Sequence, residues 1–163
     1  MSERAISIDP AEGPADMETL RALFLEYQAW LNVDLCFQGF EEELATLPGR
    51  YVPPDGGLWL ARVDGEVAGV AGFWKLNEGT CEMKRLWVRP GFRGLGLGRR
   101  LAETVVGAAR TAGYRAMCLD TLGFMDEARS LYGSLGFKEI PAYYDNPLDD
   151  VRYLELELGA PSA

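Results

Sequence analysis

Arg93-Gly94-Leu95-Gly96-Leu97-Gly98-Arg99-Arg100 stands between a β-rich run, Thr80 to Val88, and an amphipathic stretch that begins at Leu97. Glycine lets the backbone turn tightly and come close to a ligand, because no Cβ stands in the way. A helix starting at this point leaves unpaired N–H groups at its first turn and a partial positive charge. That combination binds phosphate. Arg93, Arg99 and Arg100 add three cations in a chain whose overall charge is −9. A glycine turn that merely starts a helix is the alternative, and the arginines speak against it. No lysine follows the glycines, so the loop is not the GxxxxGK[ST] cradle of a nucleotide triphosphatase. Gly94, Gly96 and Gly98 give GxGxG after several strands, a poor match to the GxGxxG that follows the first strand of a dinucleotide-binding fold.

Outward from the loop the chain alternates elements. Leu97, Leu101, Val105, Ala108, Ala109 and Ala112 mark one face of a helix over 97–112, with Gly113 as its stop. Tyr114 to Thr121 reads as a buried strand. Glu127 to Leu135 reads as a second helix, with Ala128, Leu131, Tyr132 and Leu135 on one face and Gly136 as its stop. Phe137 to Ile140 and Arg152 to Leu158 read as closing strands. Upstream, Leu58 to Val63 and Glu66 to Lys75 flank Asp64-Gly65, a strong hairpin signal. Ala5 to Ile8 predicts a first strand. A helix starts near Asp16, its expected N-cap, and carries Leu20, Leu23, Phe24, Tyr27, Trp30 and Leu31; a shorter one covers Phe40 to Leu47. A strand meander that hands over to a β-α-β unit predicts an α/β chain with a mixed sheet and helices on both faces. The strand before the glycine loop and the strand at Tyr114 are expected to be parallel neighbours. One domain over residues 1–163 is expected from the length.

Composition excludes several chemistries. The chain has no histidine, which removes Ser-His-Asp and Cys-His machinery and histidine metal ligands. Cys36, Cys81 and Cys118 lie too far apart for a CxxC pair and read as free thiols; no metal is expected. Sixteen basic against 25 acidic residues argue against nucleic acid or an anionic membrane surface and suit a cationic amine. No apolar run reaches membrane-span length, and Met1-Ser2-Glu3-Arg4 lacks a signal-peptide core, so a cytoplasmic location is expected.

Two segments carry a family resemblance. Glu82-Met83-Lys84-Arg85-Leu86-Trp87-Val88-Arg89-Pro90 followed by Arg93-x-x-Gly96-x-Gly98 resembles the acetyl-CoA motif of the GNAT superfamily of N-acetyltransferases, [RQ]-x-x-G-x-[GA]. Ala128-x-x-Leu131-Tyr132-x-x-x-Gly136-Phe137 resembles that family's tyrosine helix and the strand after it. The resemblance covers about 58–158 and implies a mostly antiparallel twisted sheet with one splayed parallel pair. It implies that the main chain of Leu86, Trp87 and Val88 pairs with the pantetheine arm of acetyl-CoA. Amides and side chains of Arg93, Gly94, Leu95, Gly96, Leu97, Gly98 and Arg99 then hold the diphosphate. A backbone N–H near Leu86 to Val88 serves as the oxyanion-type donor.

The implied reaction is direct attack by an amine of a small molecule or peptide in a ternary complex. An alkyl amine has a pKa near ~10.4, so a group must take its proton, and without histidine a carboxylate is the natural choice. Glu82 occupies the position of the base in some relatives, and period-two alternation puts Glu82, Lys84, Leu86 and Val88 on one face unless a bulge intervenes. Tyr132 matches the tyrosine that protonates the departing thiolate. Met125 stands where relatives often carry an asparagine that contacts the coenzyme. The acceptor pocket is expected around Tyr27, Trp30, Asp34, Phe37, Glu41, Glu42, Glu43, Tyr143, Tyr144, Asp145 and Asn146, where ordinary core and solvated faces are the rival reading. A homodimer is the assembly that the resemblance suggests. The alternative function is a non-catalytic acyl-CoA-binding or sensing domain.

Overall fold

The computed structural model describes residues 4–31, 39–122, 126–144 and 150–159. The elements are β1 (Ile6–Pro10), α1 (Gly13–Leu31), α2 (Phe40–Ala45), β2 (Gly57–Val63), β3 (Glu66–Asn77), β4 (Thr80–Val88), α3 (Leu97–Thr111), β5 (Ala116–Leu122), α4 (Asp126–Leu135), β6 (Lys138–Ile140) and β7 (Val151–Glu157). Short 3₁₀ turns at Gly49–Tyr51 and Pro90–Phe92 link two of the connections. Among the described residues no helix is long and apolar enough to cross a membrane.

Local chemistry accounts for the boundaries, including those that differ from expectation. α1 starts at Gly13, so Asp16 lies inside the first turn and not at the N-cap. Its Oδ2 reaches back to accept the Glu12 N–H at 2.8 Å, doing the capping from within the helix. α2 stops at Ala45, short of Leu47, because the Thr46 hydroxyl donates to the Glu42 carbonyl at 2.7 Å and Pro48 cannot continue the helix. Tyr114 is not in a strand. It follows Gly113, which turns at φ 96°, and its N–H donates to Ala109 O while Gly113 N–H donates to Arg110 O. This paired closure satisfies the last carbonyls of α3, and the same pattern at Gly136 and Phe137 closes α4. At the β2–β3 hairpin Asp64 and Gly65 both have positive φ, as a type I′ turn requires.

The seven strands form one sheet in the order β1-β2-β3-β4-β5-β7-β6. Every neighbouring pair is antiparallel except β4 and β5, which run parallel. One core packs α3 and α4 on one face of the sheet through Leu97, Leu101, Val105 and Tyr132. The other packs α1 and α2 through Leu20, Leu23, Phe24 and Phe40.

Two irregularities in β4 shape everything downstream. Pairing with β5 covers only Thr80↔Ala116, Cys81↔Met117 and Glu82↔Cys118, after which the strands part. Against β3, the register shifts between Val70↔Trp87 and Gly72↔Lys84, so Arg85 and Leu86 together oppose a single residue. Arg85 takes φ 60°, marking the bulge. The extra residue reverses the alternation. Glu82 and Lys84 therefore do not share a face with Leu86 and Val88: Leu86 and Val88 pack with the α3 core, while Trp87 joins the α1 core.

Candidate active site

A cleft of about 590 Å³ opens along the unpaired half of β4, within the range of small-molecule sites. Its floor is Leu86, Trp87 and Val88; Tyr27 and Trp30 of α1 form one wall, and Ala128 and Leu131 of α4 the other. Arg93, Gly94, Gly96, Leu97 and Gly98 form its end. Gly94 and Gly96 take φ 84° and 76°, and a Cβ on either would meet nothing within 4 Å, so open space lies beside both. Gly96 is the N-cap of α3, and no side chain caps the helix, which leaves its first-turn N–H groups open. An extended coenzyme with a diphosphate fits this donor set: an unpaired strand for the arm and a bare helix terminus for the phosphates.

Two expected contributors turn elsewhere. Leu95 packs against the α3 core and is not among the cleft's lining residues. Arg99 donates to Ser134 Oγ at 3.0 Å and lies 3.8 Å from Glu103. Arg93 keeps its guanidinium over the rings of Trp30 and Trp87, at 5.4 and 5.3 Å, and donates to Val88 O at 3.3 Å. Trp30 is 41% exposed and lines the cleft, so it is not a core residue.

Glu82 lies where the parallel pairing ends and is only 5% exposed. Its Oε1 accepts from Trp74 Nε1 at 2.7 Å, and its Oε2 accepts from the Tyr143 hydroxyl at 2.6 Å. Lys84 Nζ is 3.9 Å from Oε1. Burial, and then the neighbouring Arg85, push the Lys84 ammonium below its ordinary pKa. Burial and the Glu82 charge hold the Tyr143 phenol far above its own. Glu82 is thus neither solvated nor engaged by Arg85. That guanidinium donates to both oxygens of Glu43, at 3.0 and 2.8 Å, while Tyr51 donates to Glu43 Oε2 at 2.8 Å. Of the three glutamates of α2, Glu43 is therefore a buried structural partner, and Glu41 and Glu42 are exposed.

Tyr132, on α4 beside the cleft wall, is 6% exposed, with its ring 5.6 Å from Phe137. Its hydroxyl has no hydrogen-bond partner among the described residues. Burial raises its pKa well above 10, and the charges of Tyr27 and Asp120 add to that rise. Asp120 of β5 accepts a short hydrogen bond from the Tyr144 hydroxyl. Sequence reading passed over Asp120, although an acid between Leu119 and Leu122 in a β-rich run was the available signal. Asp34, Cys36, Phe37, Met125, Asp145 and Asn146 lie outside the described residues. No group of three or more Cys, Asp or Glu among the described residues is placed to hold a metal ion.

The Acetyltransferase (GNAT) family model matches residues 19–137. An uncharacterised N-acetyltransferase of Schizosaccharomyces pombe is 39% identical over 161 residues, which cover 98% of this chain and 99% of the relative. A GNAT-family acetyltransferase structure from Staphylococcus aureus superposes with a TM-score of 0.78 at 24% identity, covering 94% of this chain and 99% of that one. An acetyltransferase from Salmonella typhimurium, solved with its cofactor acetyl-CoA, gives a TM-score of 0.69 at 23% identity over 98% and 99% of the two chains. A family match of that length, borne by a sheet of this topology, makes the chain a member of the GNAT family of N-acetyltransferases.

Proposed function

We propose that the protein moves the acetyl group of acetyl-CoA to a primary amine of a small molecule or peptide, by direct attack with both substrates bound. The observation that carries this reading is the joining of two features in one cleft, an open strand edge and an uncapped glycine-rich helix terminus, with Tyr132 on the helix that forms its wall. Acetyl-CoA, when bound, supplies an acetyl group already activated as a thioester.

The chain's own residues do the rest. Leu86, Trp87 and Val88 would hold the pantetheine arm by their main-chain groups, and one of their N–H groups would serve the acetyl oxygen; removing such a donor typically costs ~10²–10³ in rate. The amides from Arg93 to Gly98 take the diphosphate, with Arg93 and Arg99 adding charge by leaving their present partners. Tyr132 donates its proton to the departing sulfur; its raised pKa keeps that proton in place until a thiolate forms. Glu82 serves as base at one remove. Both its oxygens are engaged, so the acceptor's proton reaches it through the Tyr143 hydroxyl or a water.

The test is thiol release from acetyl-CoA across a panel of primary amines, with CoA binding followed by calorimetry. Binding with amine-dependent thiol release is expected. Tight binding with no release on any amine favours the sensing domain, and no binding on folded protein removes the reading altogether.

A further inference from the structure

Glu82 cannot be the group that meets the acceptor, because Trp74 and Tyr143 occupy its two oxygens and its surroundings leave it almost no surface. A second carboxylate on the same face is differently placed. Asp120 follows Cys118 by two residues on β5, and Cys118 is the register partner of Glu82, so all three point to one side of the sheet. Pairing with β4 has ended by that level, and Asp120 pairs only with Tyr153 of β7, which puts it beside the gap between the parting strands.

Asp120 is half-buried. The Tyr144 hydroxyl holds its Oδ2, and nothing among the described residues bonds its Oδ1. Tyr143 and Tyr144 are adjacent, with rings 5.4 Å apart, and both pack edge-on to Tyr153. One short segment therefore delivers a phenol to each of two carboxylates, filling Glu82 and leaving Asp120 half free. The Asp120 charge is also felt by Tyr27 of α1, Lys84 of β4, Tyr132 of α4 and Tyr143, so it sits amid the groups that surround the reaction. Among the described residues, Glu43 pairs with Arg85, and Lys84 stands nearest Glu82.

On the proposed acetyl-transfer reading, we infer that Asp120 is the carboxylate that binds the acceptor's ammonium directly, through Oδ1, and takes its first proton, which selects cationic amines. Each turnover converts an ammonium and a thioester into an amide, a thiol and one proton; Asp120 carries that proton and returns it to solvent. Glu82 keeps its part at one remove: it takes the acceptor's second proton, through the Tyr143 hydroxyl or a water, and that proton restores Tyr132.

The test uses n-butylammonium chloride, titrated calorimetrically into the full chain saturated with CoA, with n-pentanol as the uncharged control of similar shape. Asp120→Asn is expected to weaken n-butylammonium binding by roughly 10–100-fold, the size of a charged hydrogen bond. Glu42→Gln, which changes an exposed carboxylate of α2, is expected to leave it within about threefold, and n-pentanol should not tell the variants apart. Asp120→Ser replaces Asp120→Asn if the latter does not fold, as judged by unchanged CoA binding. Equal binding by wild type and the Asp120 variant overturns the inference, as does an equal loss in Glu42→Gln, or no n-butylammonium binding to the CoA complex. Failure of wild type to bind CoA at all strikes the acetyl-transfer reading instead.

Discussion

Tyr132 combines two properties that rarely coincide: its ring is locked in a core and its hydroxyl has no partner among the described residues. Phenylalanine keeps the packing and removes only the proton donor. Tyr132→Phe should therefore fold and bind CoA as wild type does, while kcat falls by about 10²–10⁴, the usual weight of a general acid. Steady-state kinetics beside CoA calorimetry checks this, and an unchanged kcat would return Tyr132 to the core alone. Gly96 makes the opposite case, where the backbone and not the side chain is the functional group. At φ 76°, with open space where a Cβ would stand, Gly96→Val strains the turn by about 1–2 kcal/mol and pushes a branched side chain into the approach to the α3 amides. CoA affinity should be lost by calorimetry. Gly91→Ala, one turn earlier, has neither a positive φ nor a neighbour within 4 Å and should bind CoA normally.

At the scale of elements, the bulge in β4 decides the site, and the ion pair beneath it is what α2 contributes. Arg85 is buried against Glu43 with bidentate geometry, and Tyr51 donates to the same carboxylate. Glu43→Ala leaves that guanidinium buried without its charge partner, which costs about 3–5 kcal/mol. Urea unfolding should show the loss, whereas Glu42→Ala, from the exposed side of the same helix, should change stability by less than about 0.5 kcal/mol. This pair also marks where sequence reading stops. Strands, the Asp64-Gly65 turn, the glycine loop and the tyrosine helix are local patterns and were legible as such, including the parallel pairing of β4 with β5. A bulge adds one residue without disturbing the apolar content of its strand, so alternation assigned Leu86 to the face of Lys84. Only the consecutive cations Lys84-Arg85 in a strand of otherwise alternating character hinted at it. Asp120 and the two tyrosines that serve it and Glu82 were illegible for a different reason. Their meeting depends on β5, β7 and the β6–β7 connection lying side by side, which no local window contains.

For the molecule as a whole, the net charge of −9 covers an interior that keeps many weak acids neutral. Burial pushes Tyr27 from its ordinary 10.0 up to about 12, and Cys81 and Cys118 from 9.0 up to about 12. Tyr51, Tyr132 and Tyr143 are driven up further still, again chiefly by burial. Groups whose pKa is higher in the folded chain than in the unfolded chain hold protons that the unfolded chain has released. Their contribution to stability is complete below the unfolded values of 9.0 and 10.0 and is lost as pH rises toward about 12. Growing self-repulsion of an already acidic chain acts in the same direction. Stability should therefore be flat through neutrality and fall steeply above about pH 9, which the urea midpoint measured against pH will show. Absorbance of tyrosinate near 295 nm, followed alongside circular dichroism, separates cause from coincidence. The buried phenols should ionise in step with the loss of structure, in one cooperative event, because the folded chain does not admit their charge. Smooth tyrosinate formation on a chain that stays folded to about pH 11 would mean that these hydroxyls reach water, Tyr132 beside the cleft wall among them.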